Sequence, residues 1–169
     1  MTPLVFITGA SSAIGQPLAA RSYAAGYRLA LSARRTSEIE AWASSQSIDP
    51  ARIQIYGADV AKVDSIVSAG RACIEQQGVP DVVIANAGVS IGMDTAQFED
   101  LDVMAQTLAI NNLGLAATFH PFVAPMHKRG SGRLVGIGSV AAIRGLPGHG
   151  AYCASKAGVV SYCESLRCE

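Results

Sequence analysis

Apolar residues along the chain alternate between two rhythms. Leu4-Val-Phe-Ile-Thr8 is a short continuous apolar run, the pattern of a strand buried on both faces. Beyond Ile14, the residues Leu18, Ala19, Ser22 and Tyr23 recur at helical spacing, and Gly26 stands where a helix C-cap belongs. The same alternation then repeats. It predicts strands over 3–8, 28–33, 52–56, 81–85 and 132–138. Helices are predicted over 14–26, 36–46, 62–77 and 150–168, with a long helical region over 97–128. Strands alternating with helices predict an α/β, doubly wound parallel sheet in a single domain over 1–169. Right-handed crossovers give the strand order 3-2-1-4-5. A ligand site is then expected outside the carboxyl ends of the strands, where the order reverses between the first and fourth. Thr8–Gly15, Asn86–Gly88 and Ser139 all fall at such ends.

The first strand runs directly into Gly9-Ala-Ser-Ser-Ala-Ile-Gly15. Strand, Gly-rich turn and helix form the context of a Rossmann-type dinucleotide fingerprint. Backbone N–H groups and the helix N-terminus there can face a pyrophosphate. Gly15 allows close packing of helix on strand. A plain strand-to-helix turn has the same outline, so this stretch alone leaves both readings open.

Tyr152 and Lys156 lie four residues apart in a stretch that reads as helix, which places phenol and ammonium on one face. An unperturbed phenol titrates near pH ~10, too high for a base at neutrality. Lowering a phenol by about three units needs roughly 4 kcal/mol of preference for phenolate. One ammonium about 4 Å away supplies on the order of 4 kcal/mol at an effective dielectric near 20. A single lysine at this spacing is therefore enough to make a tyrosine an acid–base catalyst. The pair is short and also occurs on ordinary surface helices, so the rest of the chain decides its meaning. Ser139 stands thirteen positions before Tyr152.

Together these residues resemble the short-chain dehydrogenase/reductase family over essentially all 169 residues. The family's cofactor loop reads Thr-Gly-x-x-x-Gly-x-Gly, and this chain has Thr8-Gly9-Ala10-Ser11-Ser12-Ala13-Ile14-Gly15. Ala13 replaces the middle glycine. Its methyl is tolerated at negative φ and strained at positive φ. Asp59-Val60 after the third strand implies adenine contacts, and Asn86-Ala87-Gly88 after the fourth resembles the family's Asn-Ala-Gly segment. Asn111-Asn112-Leu113-Gly114 matches Asn-x-x-Gly and implies that Asn111 is the catalytic asparagine.

The resemblance implies hydride transfer between a nicotinamide and a carbonyl or secondary alcohol. Tyr152 acts as acid or base and Ser139 holds the substrate oxygen. Lys156 tunes the phenol and binds the nicotinamide ribose, while Asn111 holds a relay water. NAD-specific sites carry an acidic residue at the end of the second strand. This chain has Ala33 there, followed by Arg34 and Arg35, and no Asp or Glu between Ile14 and Glu38. Guanidinium grips a 2′-phosphate that carboxylate would repel, so NADP(H) is expected over NAD(H). Arg34 carries most of the discrimination, because Ser12 is not the extra basic residue of some NADP-dependent relatives. Two other functions use the same fold: a non-catalytic NADPH-binding sensor or scaffold, and an epimerase. The intact Ser, Tyr, Lys and Asn set argues against the first. The absence of a Gly-x-x-Gly-x-x-Gly loop argues against the second.

Composition adds boundaries. Half the residues are apolar, 15% are charged, and Lys plus Arg equals Asp plus Glu at 13 each. Such balance gives no field for nucleic acid or an anionic membrane. No run of eighteen apolar residues predicts a membrane span, and no basic leader precedes the first strand. Cys73, Cys153, Cys163 and Cys168 have neither paired nor metal-ligand spacing, which predicts reduced thiols, a cytoplasmic location and no metal. His149, close to Tyr152 in sequence, is expected in a loop or substrate-contact role. The final stretch, Cys163–Glu169, has no helix stop signal. It reads as a helix interior, so the family's later strands and substrate-binding segment are expected beyond it. Partners are then a small-molecule substrate and further copies of the complete protein, as dimer or tetramer.

Overall fold

A computed structural model of the chain describes residues 2–169. Its centre is β1 (Leu4–Thr8), in which every residue is buried. β2 (Arg28–Ala33) and β4 (Val82–Ala85) pair with it in parallel, on either side. β3 (Ile53–Gly57) and β5 (Arg133–Gly136) extend the sheet to the order β3-β2-β1-β4-β5. Ile7 lies in register with Leu31 on one side and Ile84 on the other, so the strand ends that follow open together.

Alternate residues of β1 enter different cores, as the two-residue strand period requires. Leu4 and Phe6 face a core with Ile66 of α3 (Val63–Gln77) and Phe119 and Phe122 of α5 (Gly114–Arg129). The Phe6 and Phe122 rings lie 5.1 Å apart in a tilted pair. Val5 and Ile7 face Ala19 of α1 (Gly15–Ala24) and Ile39 of α2 (Thr36–Ser45). Each such valine, leucine, isoleucine or phenylalanine contributes about 1.5–3 kcal/mol by leaving water. Gly70 lets α3 approach α5 closely: a Cβ there would come within 2.8 Å of Pro121.

Two regions differ from the sequence expectation. The helical stretch over 97–128 is a short 3₁₀ turn (Phe98–Asp100), α4 (Leu101–Leu108), a π-helical turn (Ala109–Leu113) and then α5. The π turn carries an extra residue without breaking the helix, and its residues fit either helix type by composition. β5 stops at Gly136, so Ser139 lies past the strand, at the head of a 3₁₀ turn over Val140–Ala142. α6 (Gly150–Leu166) follows and packs on that turn.

Candidate active site

The turn after β1 is held by its own polar groups. Thr8 is buried, and its Oγ1 accepts from the backbone N–H groups of Asn86 and Ala87, each at 3.2 Å. Asn86 Nδ2 returns bonds to the Thr8 carbonyl at 2.9 Å and the Gly9 carbonyl at 3.1 Å. The ends of β1 and β4 are thus clamped across the point where the strand order reverses. Gly9 has φ +63°, and a Cβ on it would come within 2.9 Å of the Ala87 backbone. A Cβ on Gly15 would strike the Gly9 carbonyl. Ala13 is not at positive φ; Ser47 is the only non-glycine residue there among the described residues. The alanine that departs from the family loop is therefore unstrained.

Beside this turn lies a cleft of about 190 Å³. Of the residues expected to hold a cofactor, Gly9, Ser11, Ser12, Arg34, Arg35, Asp59, Val60, Asn86, Ala87 and Gly88 line it. Thr8 and Gly15 are instead buried in the clamp, and Ala13 and Ile14 are exposed at the start of α1. The Ser12 hydroxyl accepts from Gly15 N–H at 3.0 Å, while the amides of Ala13 and Ile14 have no acceptor among the described residues. Free N–H groups at a helix start, beside hydroxyls and guanidiniums, make a donor set suited to an anion. Asp59 Oδ1 accepts from Ala61 N–H at 3.1 Å and shapes the turn after β3. Ser32, Ala58, Val89 and Ile110 also line the cleft, and sequence reasoning missed them. Each adjoins a residue that the sequence reading named: Ala33, Asp59, Gly88 and Asn111.

Two of the expected catalytic residues, Asn111 and Lys156, lie next to Gly88. A Cβ there would lie 3.1 Å from Asn111 Oδ1 and 3.8 Å from Lys156 Nζ. Asn111 sits in the π turn and is 2% exposed. Its Nδ2 donates to the Val89 carbonyl and to Ser155 Oγ, each at 2.9 Å. Its Oδ1 accepts from Val89 N–H at 2.8 Å. Both amide hydrogens are therefore used. Ser155, absent from the expected site, also donates to the Tyr152 carbonyl at 2.8 Å and so joins the π turn to α6.

Lys156 is 7% exposed and makes no ion pair among the described residues. Its Nζ donates to the Ile137 carbonyl at 2.7 Å and stands 5.8 Å from the centroid of the half-buried Tyr152 ring. Burial pushes the ammonium below the ordinary lysine range. Ser139 has an extended backbone, and its Oγ accepts from Ala141 N–H at 3.2 Å. It caps the turn that rests on α6, the helix carrying Tyr152 and Lys156. Cys153 holds the intervening loop by accepting from Leu146 N–H at 3.2 Å. His149 precedes α6, and its Nδ1 is buried without a partner among the described residues. Among the described residues no cluster of His, Cys, Asp or Glu is placed to bind a metal, and no helix is long and apolar enough to cross a membrane.

Residues 3–169 match the short chain dehydrogenase family model, and the chain belongs to that family. It is 35% identical to a dehydrogenase/reductase SDR family protein 7-like of Drosophila melanogaster, over 98% of this chain and 52% of that protein. It is 34% identical to estradiol 17-beta-dehydrogenase 1 of Rattus norvegicus, over 96% of this chain and 48% of the relative. The chain thus spans about half the length of these relatives. Its fold superposes with a TM-score of 0.89 on an alcohol dehydrogenase from the archaeon Thermococcus sibiricus, complexed with 5-hydroxy-NADP. That match has 27% identity and covers 99% of this chain and 71% of that one.

Proposed function

We propose that this chain carries the cofactor cleft and catalytic group of an NADP(H)-dependent oxidoreductase that interconverts a carbonyl and a secondary alcohol. The observation that carries this reading is Lys156: a buried ammonium with no carboxylate partner, one helical turn from Tyr152 and beside the Gly88 end of the cleft. A buried charge left without a counter-ion is costly, and a fold has no structural need for one. Beside a phenol it has a chemical use, because it attracts the phenolate and lets the hydroxyl give up and regain its proton.

In the reducing direction Tyr152 Oη gives its proton to the substrate oxygen. Ser139 Oγ donates a hydrogen bond to the same oxygen and keeps it near the phenol. Asn111 has no free N–H, so a relay water beside it is held by oxygen acceptors and passes protons toward Lys156. Thr8, Gly9 and Asn86 shape the pyrophosphate end, with Ser11, Ser12 and the Ala13 and Ile14 amides as donors. Asp59 and Val60 take the adenine side, and Arg34 the 2′-phosphate. The nicotinamide, when bound, supplies or takes up the hydride. NADPH and NADH consumption across a panel of ketones and aldehydes tests the reading. Cofactor binding without turnover on any carbonyl favours a sensor or scaffold and sinks it.

A further inference from the structure

Arg34 and Arg35 leave β2 side by side, and both line the cleft, yet their charges are not equally available. Arg34 is exposed and has no ion pair among the described residues. Arg35 Nε is bound to Glu38 Oε1 across one turn at the start of α2. Arg35 holds the Glu38 carboxyl below the usual carboxylate range, and the Ser11 hydroxyl adds to this more weakly. Glu38 is therefore paired with Arg35, which lines the cleft, although it does not line the cleft itself.

We propose that Glu38 sets how strongly this site prefers a 2′-phosphorylated dinucleotide, by occupying Arg35 and by placing a negative charge beside the phosphate position. The proposal rests on the cofactor reading above. Its physics is a competition. The Arg35–Glu38 pair is open to water, with the two side chains 65% and 42% exposed, and such pairs are weak. A phosphate dianion can draw Arg35 away through charge-assisted, bidentate bonds. The carboxylate remains nearby and repels that dianion. Arg34 thus carries most of the preference in the parent, and loss of the Glu38 charge frees a second guanidinium for the same anion. The 2′-hydroxyl of NADH carries no charge and is indifferent to the change.

The test is fluorescence titration of NADPH, NADH and adenosine 2′,5′-bisphosphate with the parent, Glu38→Gln and the double variant Arg35→Ala/Glu38→Gln. Glu38→Gln keeps the size of an exposed side chain. It is expected to tighten NADPH and the bisphosphate roughly three- to tenfold at low salt, with NADH moving less than about twofold. Adding Arg35→Ala should cancel most of the gain. A gain undiminished by Arg35→Ala overturns the proposal. NADPH preference in the parent with an unchanged NADPH-to-NADH ratio in Glu38→Gln overturns it alone. Failure of parent and variant to bind either dinucleotide overturns it together with the cofactor reading.

Discussion

Val89 and Asn111 exchange two hydrogen bonds: Val89 N–H donates to Asn111 Oδ1 at 2.8 Å, and Asn111 Nδ2 donates to the Val89 carbonyl at 2.9 Å. The pair mimics a step of strand pairing between a side chain and a backbone. It fixes the segment after β4, whose Gly88 and Val89 line the cleft, against the π turn between α4 and α5. Asn111→Ala removes this pair and the bond to Ser155. With buried polar groups left unpaired, a loss of about 2–4 kcal/mol in unfolding free energy is expected. Dinucleotide binding should weaken with it. Urea unfolding checks the first point, and a loss below about 0.5 kcal/mol would show that the pair is incidental.

Tyr152→Phe keeps the ring and removes the exchangeable proton. Dinucleotide affinity should stay within about twofold, while turnover falls at least a hundredfold, the usual scale of general acid–base catalysis. Stopped-flow reduction of a carbonyl substrate measures this, and turnover within a few-fold of the parent would remove Tyr152 from the chemistry.

Arg34→Ala is expected to weaken NADPH roughly ten- to a hundredfold and leave NADH nearly unchanged, the effect of losing ~1.5–3 kcal/mol of phosphate contact. Paired titrations decide it. Equal affinity of the parent for both dinucleotides would make Arg34 an ordinary surface charge.

Lys156 links site and stability through pH. Burial lowers its folded-state pKa, so between that value and the ordinary 10.5 the unfolded chain binds more protons. The sign follows: parent stability rises with pH across this window, by about 1.4 kcal/mol for each unit by which the folded pKa is lowered. Lys156→Met abolishes the rise. Chemical denaturation of both proteins from pH 7 to 10.5 isolates it as a difference. A parent-minus-variant difference that stays flat would mean that the ammonium is not desolvated.

Gly9 and Ala13 make opposite predictions within one loop. Gly9→Ala meets both a positive φ and the Ala87 backbone, so a cost of about 2 kcal/mol or more and loss of dinucleotide binding are expected. Ala13→Gly restores the family's loop sequence but relieves no strain, since φ there is not positive. It should destabilise by up to about 1 kcal/mol through chain entropy. Thermal unfolding would contradict this if Ala13→Gly were the more stable protein.

The sequence by itself determined the alternation of strands and helices, the order of the sheet and the turn after β1. These follow from short-range rules: apolar periodicity, glycine placement and the handedness of crossovers. It also placed Tyr152 and Lys156 on one face of α6, because helical spacing is a local property. Tertiary structure decided what the local rules leave open. Ser155 joined the site only because α6 crosses the π turn carrying Asn111, forty-four residues earlier. Lys156 met the Ile137 carbonyl, which is free because β5 stops at Gly136. Thr8, Gly15, Ala13 and Ile14 belong to the loop motif but split between clamp and helix start, since a motif records positions and not which atoms face a cleft. The sequence singled out Arg34 by its place after Ala33, but only the start of α2 set Glu38 against its neighbour Arg35. In each case the deciding partner lies where packing of whole elements puts it, and periodicity along the chain holds no record of that distance.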